Sequence, residues 1–421
     1  MAIIEGIRIR NYRVLRDVTF GRVSADAERP LTPLTAVIGK NGVGKSTLFD
    51  TFGFLSDCLE IGVEDACHAR GRGGFGRLVS QGQDGPMVFE IRYRESPRTR
   101  PVTYELAIEP DSTGRPHVLR ERMRQRRRGQ TRGQPFTFLI MSYGLGIAWR
   151  GEHEGVSEDA ADLDMHEFPA AKDESTEKEY VVLDDSRRLG IATYGSLKNH
   201  PRIASFVRFI RGWHLSYFTP DAARSLPITG PQKHLNRHGD NLSNVVQFME
   251  REHPARWQTI LKDIAGKIPG IHHIETKQSD DGRLLLRFND HGFRDPFYVQ
   301  QVSDGTLKLF AYLLLLADPS PAPFLCIEEP ENGLYHKLLE ILGKELREHT
   351  NSRKGSSQVF VTTHHPHFVD ALEPEEVWVM KKGDDGFAVA QRASDLDLVR
   401  NLVAEGLPLG GLWYSDYLDA R

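Results

Sequence analysis

Residues 39–46 read Gly39-Lys40-Asn41-Gly42-Val43-Gly44-Lys45-Ser46, the spacing GxxxxGK[ST]. Glycines at its first, fourth and sixth positions let the backbone curl until successive N–H groups and a helix N-terminus face an anion. Lys45 adds a point charge for phosphate oxygens, and the Ser46 hydroxyl is a ligand for Mg²⁺. The implied ligand is a nucleoside triphosphate with magnesium, held by Gly39, Asn41, Gly42, Gly44, Lys45, Ser46 and Thr47. A second group ends the apolar run Pro323-Phe-Leu-Cys-Ile327 with two carboxylates, Glu328 and Glu329. Neighbours on a strand point opposite ways, so Glu328 is expected to hold the magnesium shell through water while Glu329 orients the attacking water. His364 follows another apolar run, Val359-Phe-Val-Thr-Thr363, where it suits sensing of a γ-phosphate. His365 and His367 come close behind it, but Pro366 interrupts any helix and no carboxylate partner is evident, which argues against a metal site. Val302-Ser303-Asp304-Gly305-Thr306 is a polar turn at a helix start, able to bind an anion or simply to cap the helix through Ser303 or Asp304.

These residues need elements to hold them. The apolar run Leu34–Ile38 leads into the loop, and a helical stretch runs from Lys45 to Leu59, giving strand, loop, helix. Residues 87–93 and 102–108 alternate as antiparallel strands do, and a hairpin is expected from His117 to Met141 around Gly129 and Gly133. Helical periodicity covers 199–271, notably 241–252 and 255–268, and reads as a separate helical subdomain. Beyond it, strand and helix alternate: strands at 284–288 and 297–299, a helix at 306–317, a strand at 324–327, a helix at 337–349 and a strand at 358–362. That alternation implies a parallel sheet.

The chain has 421 residues, 39% apolar and 27% charged, with a formal net charge of −4. This balance excludes a wholly disordered chain and a uniformly basic nucleic-acid binder, so any such affinity must be local. Arg120, Arg122, Arg124 and Arg126 recur every second residue and share one strand face, with Arg127, Arg128 and Arg132 in the adjoining turn. They suit a phosphate backbone, a solvated hairpin, or a dock for the acidic stretch 151–180, which carries eleven acidic residues against two lysines. That stretch reads as an insertion or linker. Leu398–Leu418, rich in leucine and aromatics, suits packing on its own sheet or docking of a partner. No apolar run is long enough to span a membrane, and the start carries charges where a signal peptide needs an apolar segment. Three cysteines without paired spacing fit a reducing cytoplasm.

Taken in order, the phosphate loop, the Ser-Asp-Gly-Thr turn, the Glu-Glu strand end and the Thr-His strand end resemble the ABC-type ATPases of the SMC, RecF and OLD group, in particular its short AAA-family or SMC-like members. The opening Ile7-Arg-Ile-Arg-Asn-Tyr-Arg-Val-Leu-Arg-Asp17 looks like that group's first strand and turn. The similarity covers residues 1–110 and 235–395. It implies an α/β fold: an ABC-type P-loop NTPase core with an N-terminal antiparallel sheet and an inserted helical subdomain. The expected parts are 1–118 and 283–395 for the core, 119–234 for an insertion, 235–282 for the helical subdomain and 396–421 for a tail.

The resemblance further implies ATP and Mg²⁺ as cofactors, Glu328 and Glu329 as the Walker B pair, and His364 as the switch histidine. It implies that Ser303 and Gly305 contact the γ-phosphate across a homodimer, with Asn332 in the crossing segment. Gln81 or Gln83 is the expected Q-loop residue, with Gln81 taken as the metal contact. The turn departs from Leu-Ser-Gly-Gly, and Glu328 stands where aspartate is commoner, so slow turnover is expected. No heptad run of SMC length is present, and no room follows residue 395 for a nuclease domain, so a nuclease or toxin is expected as a separate effector. The implied function is an ATPase that pairs on ATP and acts with that effector, and with double-stranded DNA through Arg120, Arg122, Arg124 and Arg126, in repair or defence against phage. The alternative is the ATPase subunit of a membrane transporter, against which the arginine hairpin and the RecF-like start speak. A small-molecule kinase or GTPase would share the loop but leaves the Ser-Asp-Gly-Thr turn and second glutamate unexplained. Lys45→Ala is expected to abolish nucleotide binding, measured by equilibrium dialysis with labelled ATP; retained affinity would remove the phosphate-loop reading.

Overall fold

A computed structural model of the chain describes residues 2–24, 29–130, 133–151, 178–268, 270–352 and 356–418. The acidic stretch 152–177 and Arg132 lie outside the described residues. The chain divides into two units, one made of Met1–Thr32, Gly39–Trp213 and Trp378–Gln391, the other of Pro33–Ile38, His214–Val377 and Arg392–Arg421.

The first unit is built on eight antiparallel strands in the order Leu15–Gly21, Ile3–Tyr12, Met87–Arg94, Val102–Pro110, Pro116–Gln125, Phe136–Ser142, Leu145–Trp149 and Lys178–Val182. The hairpin expected between His117 and Met141 is there, pairing Gln125 with Phe136 and Glu121 with Met141. Alternation divides the sheet. Phe89, Ile91, Tyr93, Tyr104 and Leu106 are buried. Against them packs the helix that follows the phosphate loop, Lys45–Ile61, whose Phe54 ring lies 5.4 Å from Tyr12 and 5.5 Å from Phe89. The helix Pro201–Arg211 adds Phe206, 5.0 Å from Tyr104, and Phe209, 4.6 Å from Tyr93. Arg72, with its side chain 1% exposed, fixes the first helix by reaching two acids on it, Asp50 at 2.8 Å and Asp57 at 2.7 Å.

On the other face, one line of residues crosses all eight strands: Thr19, Arg8, Glu90, Glu105, Arg122, Ile140, Ile147 and Tyr180. Glu90 and Glu105 stand directly opposite, a like-charge pairing that costs energy unless cations attend it. Arg124 attends both, at 3.2 and 3.4 Å, while Arg120 and Arg122 reach Glu105 at 2.6 and 2.8 Å. Burial pushes the Glu105 carboxyl up, but these arginines outweigh it and hold it below its usual range.

The second unit carries three parallel strands in the order Phe324–Glu328, Gln358–Thr363, Leu34–Ile38. Every residue of the last two is buried, as are Phe324 to Ile327, the signature of strands covered on both faces. The helices Asp304–Leu316 and His336–Asn351 belong to this unit, the second burying Leu339, Leu342 and Leu346. Where the helical subdomain is expected, the chain forms the helices Leu242–Glu252 and Pro254–Lys267, followed by a three-stranded antiparallel sheet, Ile271–Gln278, Leu284–Asp290 and Phe297–Tyr298, all within the second unit. Phe310 ties these parts together, its ring 5.5 Å from Phe288 and 6.5 Å from Trp257. The stretch 199–271 is less helical than its periodicity suggests: it includes the strand Trp213–Ser216, and residues 224–241 around Pro227 and Pro231 form no helix.

Glu121, on the buried face of the first unit's sheet, is wholly enclosed. Its carboxylate accepts hydrogen bonds from the Tyr104 hydroxyl at 2.9 Å and the backbone N–H groups of Gly190 and Ile191 at 2.6 and 3.3 Å. Burial outweighs these bonds and pushes its pKa from 4.5 up to about 7. The folded state therefore favours the protonated acid; that contribution is complete below about pH 4.5 and is lost as pH rises through 7. The stability advantage of wild type over Glu121→Gln should shrink by roughly 3 kcal/mol between about pH 4.5 and pH 8 in urea titrations; a constant difference would show that Glu121 does not titrate in this range.

Candidate functional site

In the first unit the phosphate loop has the backbone its glycines permit. Gly42 (φ 79°) and Gly44 (φ 111°) are left-handed, and a Cβ on Gly44 would lie 2.6 Å from the Val14 side chain. Gly39 has no room either, since its Cβ would fall 2.6 Å from the Met380 carbonyl. The helix begins at Lys45 with no side-chain cap and no acid in its first turn, so its leading N–H groups lie outside the helical ladder. Leu48 N donates back to Gly44 O at 2.9 Å. Lys45 is 5% exposed and its Nζ donates to Gly39 O at 2.8 Å and Lys40 O at 3.3 Å, holding the charge inside the loop. Asn41, Gly42 and Ser46 are exposed, while Thr47 is half-buried. This arrangement suits an anion with a hard cation: N–H groups at a helix start, a fixed lysine and a hydroxyl oxygen.

The structure separates the two candidate glutamines. Gln83 donates to the carbonyl of its neighbour Gly82 at 3.2 Å. Gln81 is exposed and lines a cavity of about 450 Å³ in the same unit with Arg13, Val14, Arg77, Val79 and residues 385–387.

In the second unit the acids gather where the parallel strands end. The register pairs Glu328 with Thr362 and Thr363 with Ile38, the residue before Gly39. Glu328 closes its strand half-buried. Glu329 turns out of it in a left-handed conformation (φ 43°), uncommon for a side-chain-bearing residue and costly unless held. It is held: its N–H donates to Thr362 O at 2.9 Å, Asn332 Nδ2 donates to its carboxylate at 3.1 Å, and Lys308 Nζ donates to its carbonyl at 3.3 Å. Lys308 also reaches Asn332 O at 3.0 Å. Burial pulls the Lys308 pKa down, while Glu331, Glu329 and Asp304 pull it up. Asn332 therefore serves Glu329 of its own chain. His364 Nδ1 lies 3.5 Å from Glu329 Oε1, so the structure brings these two residues together within one unit.

Ser303 caps the helix Asp304–Leu316, accepting from Thr306 N at 3.3 Å and donating to Thr306 Oγ1 at 2.9 Å, and remains exposed. Asp304 pairs with Arg224. Gly305 is buried, and a Cβ there would stand 2.7 Å from Gly333 O. The turn expected to serve another subunit is thus packed through Gly305 and Lys308 against the Glu329–Gly333 turn of the same chain, leaving Ser303 as its exposed member.

Two residues went unread in the sequence. Glu331 is 4% exposed and makes a third acid in Glu328-Glu329-Pro330-Glu331, where the proline turn redirects it inward. Lys308 is the one charge in Leu307-Lys-Leu-Phe-Ala-Tyr-Leu-Leu-Leu-Leu316, and a cation inside an apolar helix signals a buried partner. Among the described residues no group of three or more His, Cys, Asp or Glu is placed to hold a metal ion. The His365 and His367 rings lie 5.5 Å apart, and burial followed by the neighbouring histidines lowers the His365 pKa. Leu409–Tyr414, near the chain end, packs on its own unit, Trp413 Nε1 donating to His364 O at 3.3 Å and Gly410 N to Asp370 at 2.7 Å. Cys58, Cys67 and Cys326 are free and buried. Among the described residues no helix is long and apolar enough to cross a membrane.

The chain belongs to the family described as "AAA domain, putative AbiEii toxin, Type IV TA system", whose model matches residues 34–370. Among solved structures it is similar to an SMC head bound to the C-terminal winged-helix domain of ScpA, at 13% identity over 93% of this chain and 99% of that one, with a TM-score of 0.54. An SMC head with an extended coiled coil, bound to the C-terminal domain of ScpA and derived from Pyrococcus furiosus, matches at 13% identity over 96% and 100%, TM-score 0.49. The SMC head from Thermotoga maritima matches at 12% over 92% and 98%, TM-score 0.43. No curated protein matches. At these identities the structural likeness concerns the fold, and it is the expected one: an SMC-head-like P-loop NTPase, here with no helix among the described residues longer than the 17 residues of Lys45–Ile61.

Gly305→Ala should lower the melting temperature by several degrees, a cost of about 1–3 kcal/mol for a methyl forced onto backbone. Gly266→Ala, in the open on the helix Pro254–Lys267, should raise it slightly. Equal shifts in calorimetry would contradict the packing of Gly305 on Gly333.

Proposed function

We propose that this AAA-domain protein hydrolyses ATP with magnesium, pairs with a second copy of itself while ATP is bound, and signals that state to a separately encoded nuclease or toxin in bacterial defence against phage or DNA repair. One observation carries the reading: a half-exposed carboxylate, Glu329, and a histidine, His364, 3.5 Å apart at the ends of adjacent parallel strands. The neighbouring strand runs directly into a phosphate loop.

In this reading Gly39, Asn41, Gly42, Gly44 and Thr47 contribute loop and helix N–H groups to the phosphates, and Lys45 turns its charge from its own carbonyls to them. Ser46, Glu328 and Gln81 hold magnesium, which neutralises charge developing on the phosphate oxygens. Glu329 accepts the proton of the attacking water, and His364 contacts the γ-phosphate. Ser303, the exposed member of its turn, makes the contact to the partner copy; Gly305 and Asn332 act behind it by packing and by orienting Glu329. The family description, with its toxin and antitoxin terms, supports an effector protein more than a transporter. For double-stranded DNA the arginine ladder is muted, since Arg120, Arg122 and Arg124 all pair with Glu105, although the Arg120 side chain, 45% exposed, remains more accessible than those of Arg122 and Arg124. A weak salt dependence of DNA affinity follows. Buried free thiols and the lack of a membrane-crossing helix among the described residues support a cytoplasmic setting.

Glu329→Gln should bind ATP, lose at least about a hundredfold in turnover, and elute as a dimer with ATP and as a monomer without it. A monomer in both conditions would sink the pairing, and wild-type turnover would sink the role of Glu329.

A further inference from the structure

Burying a carboxylate is costly unless charge or hydrogen bonds repay it, so a glutamate that is 4% exposed beside a reacting centre requires an account. Glu331 Oε1 accepts hydrogen bonds from Thr363 Oγ1 at 2.8 Å and from the backbone N–H of His364 at 2.7 Å. The ring nitrogen Nδ1 of His364 lies 3.1 Å from the same oxygen. Oε2 is buried with no hydrogen-bond partner among the described residues. Glu331 therefore bonds the backbone of His364 and sets its charge beside the ring, whose Nδ1 is itself buried without a hydrogen bond among the described residues.

The ring nitrogen faces two acids, Glu331 Oε1 at 3.1 Å and Glu329 Oε1 at 3.5 Å. A tautomer with an unprotonated Nδ1 would set a lone pair against both carboxylates, so Nδ1 carries the proton. It can be given to only one of them at a time. Glu331 is nearer, and its side chain is 2% exposed against 27% for Glu329, so attraction to it is less screened. A proton given to Glu329 would instead engage the carboxylate that has to accept from water.

We propose that Glu331 is a positioning residue whose buried charge draws the Nδ1–H of His364 toward itself rather than toward Glu329, fixing the ring with Nε2 as the atom offered to the nucleotide. The inference rests on the proposed hydrolytic roles of Glu329 and His364. Glu331→Gln suits the test, because its amide oxygen can still accept from Thr363 and from His364 N while the charge on Nδ1's partner is gone. Its effect must pass through His364, which a merely structural glutamate would not require.

The experiment is a double-mutant cycle on the full chain, reading steady-state ATP hydrolysis for wild type, Glu331→Gln, His364→Ala and the double variant, with melting temperatures alongside. Glu331→Gln should lower kcat by about tenfold to a hundredfold with KM for ATP within about twofold, and should cost nothing further in the His364→Ala background. Glu331→Asp, which keeps the charge but withdraws it by one methylene, should recover part of the rate, and it carries the cycle if the glutamine variant does not fold. Additive losses in the two backgrounds, or wild-type kcat in Glu331→Gln while His364→Ala is slow, overturn the role of Glu331 alone. Wild-type kcat in His364→Ala overturns the underlying reading of His364 instead.

Discussion

A strand covered on both faces can carry charge only where it ends. Phe324 to Ile327, Gln358 to Thr363 and Leu34 to Ile38 are all buried, so polar chemistry on these strands is confined to their carboxyl ends. In-phase parallel register then places Glu328 beside Thr362, and Thr363 beside Ile38. Glu328, Glu329, Glu331, Thr363 and His364 stand together because the apolar sequence before each leaves them no other place. The turn into left-handed geometry at Glu329 is the sharpest expression of this constraint, since the carboxylate must leave the strand within one residue.

That logic also explains what could be read from the sequence. The phosphate loop, the buried strands and the helices Lys45–Ile61, Asp304–Leu316 and His336–Asn351 are local patterns: glycine spacing, apolar runs and helical stripes. Each element falls within a few residues of its expected place. The hairpins of the antiparallel sheet were legible for the same reason, through alternation and turn glycines. Partnerships across the chain were not. Lys308 meets the Glu329 and Asn332 carbonyls 21 and 24 residues away, and Glu331 meets Thr363 across 32. Nothing in the local pattern around Glu331 separates a buried carboxylate from a solvated one; only the strand beside it does.

The arginine ladder shows the same limit on a larger scale. Read alone, Arg120, Arg122 and Arg124 form a basic edge. The register sets Arg122 opposite Glu105, and Glu105 opposite Glu90, so much of that positive charge is spent within the sheet. The electrostatic character of this face belongs to several strands at once. Removing Glu105 would raise the potential of the face more than adding an arginine to its rim, because three guanidinium groups share that one acid.

The contacts around Glu329 also determine what can move. Gly305 sits on Gly333, and Lys308, about one turn further along the same helix, grips the carbonyls of Glu329 and Asn332. The exposed Ser303 and the backbone of the Glu329 turn are thus joined by a helix that ends in a close backbone contact and two hydrogen bonds, with no flexible segment between them. On the other side, Trp413 holds the His364 carbonyl while Glu331 holds its N–H. A force on the helix cap is delivered to Glu329, and a force on the helix Leu409–Tyr414 is delivered to His364. Two residues 3.5 Å apart are therefore tethered through different elements, Glu329 through a helix whose cap Ser303 is exposed, and His364 through a helix that buries Leu409, Gly410, Leu412 and Trp413.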